Sequence, residues 1–184
     1  MRKLLAIFLL VALGLFLGSC KKITNPEPGP PVIAYKSFDI VSETEAYFHF
    51  TFTDPDGDMG LKSSDTSGPF AFGSEYYNDF HMRFQFKNYQ GNYIDSVWYD
   101  QLAVLYDSGF VLYRIPFIDN NSKNKSLTGE IIIKMAGFRP ASNKPNFRYN
   151  FYIYDRAHHK SNVVTTPEFY FPWPGMAKYV LEND

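Results

Sequence analysis

In the segment AYFHFTFT at 46–53, every second residue is a phenylalanine. Phe48, Phe50 and Phe52 fall on one side, and Tyr47, His49, Thr51 and Thr53 on the other. A two-residue period marks a strand with one buried face, because successive side chains of an extended chain point to opposite sides. The pattern returns at 80–87, where Phe80, Met82, Phe84 and Phe86 alternate with His81, Arg83, Gln85 and Lys87. Residues 88–92 read as a turn, and the spacing predicts further strands at 33–41, 93–99, 110–117, 129–135, 146–154 and 162–171. Helix is expected at most as one or two turns within 99–106. The chain shows no repeat of fixed period, which argues against a propeller or solenoid.

Seven or eight antiparallel strands in about 140 residues predict an all-β fold, an immunoglobulin-like β-sandwich. A jelly roll or small barrel is the competing architecture. The core is expected to be aromatic, with 18 phenylalanines and 14 tyrosines in the chain. Such rings bury a large apolar area each, which offsets the lack of a disulfide in a chain with one cysteine.

That cysteine, Cys20, closes the opening run MRKLLAIFLLVALGLFLGSC. Arg2 and Lys3 form a positive flank, residues 4–17 form an apolar stretch too short to cross a bilayer, and Leu17 is followed by the small Gly18 and Ser19 before the cysteine. The run resembles the lipobox of bacterial lipoproteins. The resemblance implies a signal peptide over 1–19, cleavage before Cys20, a diacylglycerol thioether on its sulfur and an acylated amino group, hence a membrane anchor. A transmembrane helix or an ordinary secretory signal is the competing reading. Two or three acyl chains hold a protein durably, since one alone binds only marginally. Loss of Arg2 and Lys3 with the signal moves the formal charge from −1 to −3. So weak a balance offers nothing to nucleic acid.

Residues 20–31 then read as the lipidated cysteine and a tether, with prolines at 26, 28, 30 and 31 favouring extended polyproline geometry. The sandwich is expected over 32–171 and a C-terminal tail over 172–184. Many lipoproteins of the Bacteroidota carry an acidic run after the cysteine that resembles a signal for export to the cell surface. Here those positions are Lys21, Lys22, Ile23, Thr24 and Asn25. Without the acidic run the resemblance implies the periplasmic face over the surface, and Lys21 in place of the aspartate linked in some bacteria to inner-membrane retention implies the outer membrane.

Directly after the first aromatic strand comes DPDGDMGL at 54–61, which gathers Asp54, Asp56 and Asp58 in one turn. Clustered carboxylates repel unless a cation or a set of donors neutralises them, and hard oxygen ligands suit calcium. The loop partly resembles an EF-hand loop, with Asp54, Asp56 and Asp58 at the first, third and fifth positions and Leu61 at the eighth. It departs at the sixth, where Met59 stands for glycine, and at the twelfth, where Asp65 stands for glutamate. A strand also leads into it instead of a helix. Small immunoglobulin-like lipoprotein domains of the Bacteroidota offer a second resemblance. They carry a DGDIGL-type loop after an early strand, and later an aspartate followed by a serine-asparagine pair, here Asp155 and Ser161-Asn162. If 46–53 and 146–154 are the second and sixth strands of such a fold, the loops after them share one end of the sandwich, and Asp155 reaches the acidic loop. Two readings stand: a calcium site on Asp54, Asp56, Asp58 and Asp155, or a turn whose aspartates bond their own backbone.

Zinc motifs, a P-loop, the GxSxG elbow and Rossmann glycines are missing from the sequence. His49 and His81 fall on outward strand positions, and His158 and His159 in the last hairpin. Tyr47, Tyr152 and Tyr154 project outward if the alternation holds, and Trp173 lies in the tail; these are the candidate interaction residues. The expectation is a non-catalytic outer-membrane lipoprotein, held by the anchor on Cys20, that binds an envelope protein as an accessory subunit of a membrane-protein assembly. One alternative is a glycan- or ligand-binding lipoprotein of nutrient capture, which needs an exposed aromatic platform. Another is a calcium-stabilised structural domain of the envelope.

Overall fold

The computed structural model describes residues 27–42, 44–100, 105–108, 110–120, 125–136 and 146–170. The lipobox with Cys20, and the tail with Trp173, lie outside them. Eleven strands are present among the described residues: β1 (Val32–Ser42), β2 (Glu45–Asp54), β3 (Phe80–Lys87), β4 (Tyr93–Asp95), β5 (Val97–Asp100), β6 (Leu105–Ser108), β7 (Phe110–Tyr113), β8 (Leu127–Ala136), β9 (Asn146–Ile153), β10 (Val164–Thr165) and β11 (Phe169–Tyr170). Nine of them form two antiparallel sheets. One is ordered β1-β2-β8; the other runs β10-β9-β3-β4, with β7 also on β3 and β11 also on β9. The chain crosses between sheets after β2, between β7 and β8, and again between β8 and β9. This places the first, second and fifth strands of an immunoglobulin-type sandwich opposite the third, sixth and seventh.

Alternation sets what each sheet buries. Ala46, Phe48, Phe50 and Phe52 of β2 face Phe80 and Met82 of β3 and Phe147, Tyr149, Phe151 and Ile153 of β9 across the core. Phe48 meets Phe151 edge-on at 4.9 Å between ring centres, and Phe50 stacks on Phe80 at 5.5 Å. Such pairs add about 0.5–1.5 kcal/mol beyond the area they bury.

Several expectations are corrected. The described residues of 99–106 give no helical turn: 97–100 and 105–108 pair as two antiparallel strands, with 101–104 outside the described residues. The expected strand at 93–99 breaks at Ser96, whose N–H is spent on the Phe84 carbonyl. Strand β7 stops at Tyr113, short of 117, and 162–171 divides into β10 and β11 around Pro167, which has no N–H to give a ladder. Phe84 and Phe86 are half-buried instead of core, because they lie toward the 88–92 turn at the rim of the sandwich. Pro31, at the end of the expected tether, is fully buried.

Candidate metal centre

The inward series of β2 does not end on a hydrophobe. Ala46, Phe48, Phe50 and Phe52 are followed at the same two-residue step by Asp54, which is 0 % exposed. The inward series of β9 does likewise: Phe147, Tyr149, Phe151 and Ile153 lead to Asp155, 2 % exposed. Two strands from opposite sheets thus each deliver a carboxylate to the same end of the core.

Backbone geometry brings in the other two. Gly57 and Gly60 adopt left-handed conformations at φ 71° and 78°. A Cβ on Gly57 would overlap the Lys125 carbonyl, and one on Gly60 the Pro116 carbonyl. The loop is therefore pressed against a neighbouring strip of backbone, which it also bonds: Leu61 donates to Ile115 O at 2.8 Å, Phe117 to Leu61 O at 3.1 Å and Ile118 to Met59 O at 3.2 Å. Met59 and Leu61 are buried, which turns Asp56 and Asp58 on either side of Gly57 back over the strand end.

The Asp155 side is equally built. Asp155 accepts the His159 N–H on Oδ1 at 2.7 Å and contacts His159 Nδ1 through Oδ2 at 2.9 Å. His158, at φ 69°, stacks on Tyr76 with ring centres 4.1 Å apart. Arg156 donates its N–H to Asp58 O at 3.4 Å and sends its guanidinium to Asp65.

One carboxylate oxygen from each of Asp54, Asp56, Asp58 and Asp155 lies within 4.8 Å of the others. Oxygens on opposite sides of a calcium ion, each at about 2.4 Å, stand about 4.8 Å apart, so the set can share one ion. Both oxygens of Asp54, and one each of Asp56 and Asp58, are buried without a hydrogen-bond donor. A self-bonded turn would give them backbone N–H groups; Asp65 plays that part here, accepting Lys62 N–H at 2.8 Å. It stands apart from the four, so the EF-hand resemblance does not extend to its twelfth position. Burial, then the neighbouring Asp56, pushes Asp54 up to about 7, and burial with Asp155 and Asp56 pushes Asp58 up to about 6 against backbone hydrogen bonds from Ala157 and Arg156. Burial also raises Asp155, while its bond to Asp155 raises His159. Four hard oxygens with no thiol or imidazole among them favour calcium over a transition metal, and four carboxylates exceed the one or two that usually hold magnesium. His159 would orient the Asp155 ligand, as second partners of metal-bound carboxylates do.

The aromatic candidates do not assemble. Tyr47 lies on the outer face of the first sheet, donating to Glu45 at 2.8 Å with Lys134 5.8 Å from its ring centre. Tyr152 lies on the outer face of the other, stacked on His81 at 5.0 Å beneath Lys160. Tyr154, expected to project outward, is buried, because β9 has ended and the loop carrying Glu75 and Tyr76 covers it. The serine-asparagine pair has a structural task. Ser161 Oγ accepts the Ile153 N–H at 3.0 Å, and Asn162 exchanges two hydrogen bonds with the Ile33 backbone at 2.8 and 2.9 Å, tying the last hairpin to β1. The sequence reading missed Asp79, a buried carboxylate that accepts Ile115 N–H at 2.6 Å. It precedes a strand without any companion acid, so nothing in the local pattern marked it.

No family model and no curated protein matches this chain.

Proposed function

We propose that the chain is a non-catalytic lipoprotein of the outer membrane, anchored at Cys20, whose β-sandwich is closed at one end by calcium on Asp54, Asp56, Asp58 and Asp155. Its role is that of an interaction module for an envelope protein. The observation that carries the reading is the four-carboxylate cluster, with the fully buried Asp54 lacking any donor. A cation there would join the ends of β2 and β9, one from each sheet, and so stiffen the loops that a partner would meet. The anchor rests on the lipobox resemblance at 1–20, and the envelope location follows from it. Of the alternatives, glycan capture gains no support from Tyr47 and Tyr152, which face away from each other, nor from the covered Tyr154.

Melting of the full chain in millimolar calcium and in chelator tests the metal, together with ion content after dialysis. Calcium that binds only the folded state raises stability by about 2.7 kcal/mol at 100 times its Kd. One calcium per chain and a higher Tm are expected. Identical melting curves and no retained ion would leave a plain turn. Mass spectrometry of the membrane-extracted protein tests the anchor, with an acylated terminus at Cys20 expected.

A further inference from the structure

Strand β8 closes the first sheet at one side: it pairs with β2 along all ten residues, and among the described residues no strand pairs with its other edge. Long free edges are hazards that proteins usually blunt with bulges, prolines or inward charges. Residues 127–136 (LTGEIIIKMA) are regular and carry none of these at the centre. Outward from that centre stand Glu130, Ile132 and Lys134, with Ile132 56 % exposed; within its own sheet Glu130 already meets Lys36 and His49, and Lys134 meets Glu45, so a facing copy would add a second partner to each.

The sequence is self-complementary about Ile132. An antiparallel partner with the same sequence, set so that Ile132 meets Ile132, places Glu130 opposite Lys134 and Lys134 opposite Glu130. Cross-strand pairs of opposite charge stabilise a sheet, and like charges in the same places destabilise it. On the inner side the same register sets Ile131 against Ile133. Beside the strand a groove of about 200 Å³ opens, lined by residues 113–116, Arg114 among them, on one side and by residues 131–134, from both faces of β8, on the other. A second β8 would lay its own Ile131 and Ile133 toward this groove. Charge and apolar pairing agree on one register.

We propose that β8 is the pairing edge of a two-fold symmetric dimer, in which two copies of this chain join their three-stranded sheets into one of six strands through Glu130, Ile132 and Lys134. The interface is isologous, so one mutation acts twice. This dimer does not depend on calcium at the other site.

Sedimentation velocity of the full chain in mild detergent tests it. The unaltered protein is expected to dimerise. Glu130→Lys and Lys134→Glu should each raise the dissociation constant at least tenfold, since each sets like charges opposite each other at two places. An equimolar mixture of the two variants should dimerise again, because one copy then offers lysine at both positions and the other glutamate at both. This restoration cannot come from misfolded protein. As a second arm, Ile132→Cys should form a disulfide-linked dimer under mild oxidation well ahead of Val163→Cys, whose position is equally exposed at 56 %. A protein that stays monomeric at high concentration, variants that dimerise as well as the parent, a mixture that stays monomeric, or equal cross-linking at 132 and 163 would each overturn the proposal.

Discussion

The outer faces of the two sheets and the loop end of the sandwich treat charge in opposite ways. On the first sheet's face, Glu130 meets Lys36 at 2.5 Å and His49 at 2.8 Å, and Lys134 meets Glu45 at 3.2 Å. On the second, Arg83 meets Asp95 and Lys87 meets Glu168, both at 2.5 Å. Acid faces base across neighbouring strands, and Lys36 and His49 hold Glu130 below the usual carboxylate range. At the loop end four aspartates face one another, and Asp54 and Asp58 are pushed up instead. Arg156, close enough to donate its N–H to Asp58, turns its guanidinium to Asp65. A chain that pairs its exposed charges so readily has kept its most buried ones together, which is the arrangement a divalent cation would reward.

The contrast breaks most sharply at Gly57, which sets the loop's shape. Gly57→Ala adds left-handed strain and an overlap with the Lys125 carbonyl. The expected loss is about 3–5 kcal/mol by urea unfolding, with the calcium response lost as well. A glycine-to-alanine change on the exposed turn at Gly91, where φ is also positive but nothing lies within 4 Å, should cost only the strain, about 1–2 kcal/mol.

Asp79 sharpens the comparison as a buried carboxylate outside the cluster. Burial pushes it up to about 7, against hydrogen bonds from the Ile115 N–H and its own N–H and the charge of Arg114. Its folded value lies above the ordinary carboxyl value near 4. The stability it allows is therefore fully present below about pH 4 and is lost as pH rises through about 7. In saturating calcium, where the cluster is held charged, stability should fall between pH 5 and pH 8. Asp79→Asn should flatten that fall and gain up to about 4 kcal/mol at pH 8, since about three tenfold changes in proton affinity, each about 1.4 kcal/mol, separate the two values. An unchanged slope in Asp79→Asn would show that another group titrates there.

How far the sequence disclosed these regions depends on the kind of signal. Period-two alternation located β2, β3 and β9 to within a residue or two, because burial of one face dictates it. The same step carried one residue pair further, from Phe52 to Asp54 and from Ile153 to Asp155, would have placed both aspartates inside the core; the expectation rested only on their loops sharing an end. Local pattern could not show that Tyr154 is covered, since the loop bearing Glu75 and Tyr76 lies far from it in sequence. Nor could it reveal His159 as the partner of Asp155, or that Ser161 and Asn162 act on Ile153 and Ile33. Such contacts are set by tertiary closure, and the strands at 97–100 and 105–108 differ from the expected turn because a short apolar run fits helix and strand alike.

Within the cluster, Asp56→Ala should reverse sign with the solvent. In chelator it removes one of four mutually repelling carboxylates and leaves the protein equal to or up to about 1 kcal/mol more stable than the parent. In calcium at 100 times the parent's Kd it forfeits most of the roughly 2.7 kcal/mol that binding supplies, because a site tunes its affinity by ligand charge count. Melting curves in both solvents read the two signs directly. A loss of equal size in both would assign Asp56 to the turn alone.

The smallest effect belongs to the outer face. Asp95 bonds Arg83 at 2.5 Å and Gln85 at 2.7 Å, with roughly a third of each charged side chain exposed. Water competes for both groups, and a partly exposed pair contributes only about 0.2–1 kcal/mol. Asp95→Ala should therefore lower stability by less than about 1 kcal/mol, and less still in 1 M salt, where the screening length shrinks to about 3 Å. It should lose the same amount in calcium and in chelator, since the pair lies on a face remote from Asp54 and Asp155. A large or calcium-dependent loss on Asp95→Ala would mean that the faces and the loop end are coupled through β3 and β9, and the contrast between them would have to be redrawn as one network.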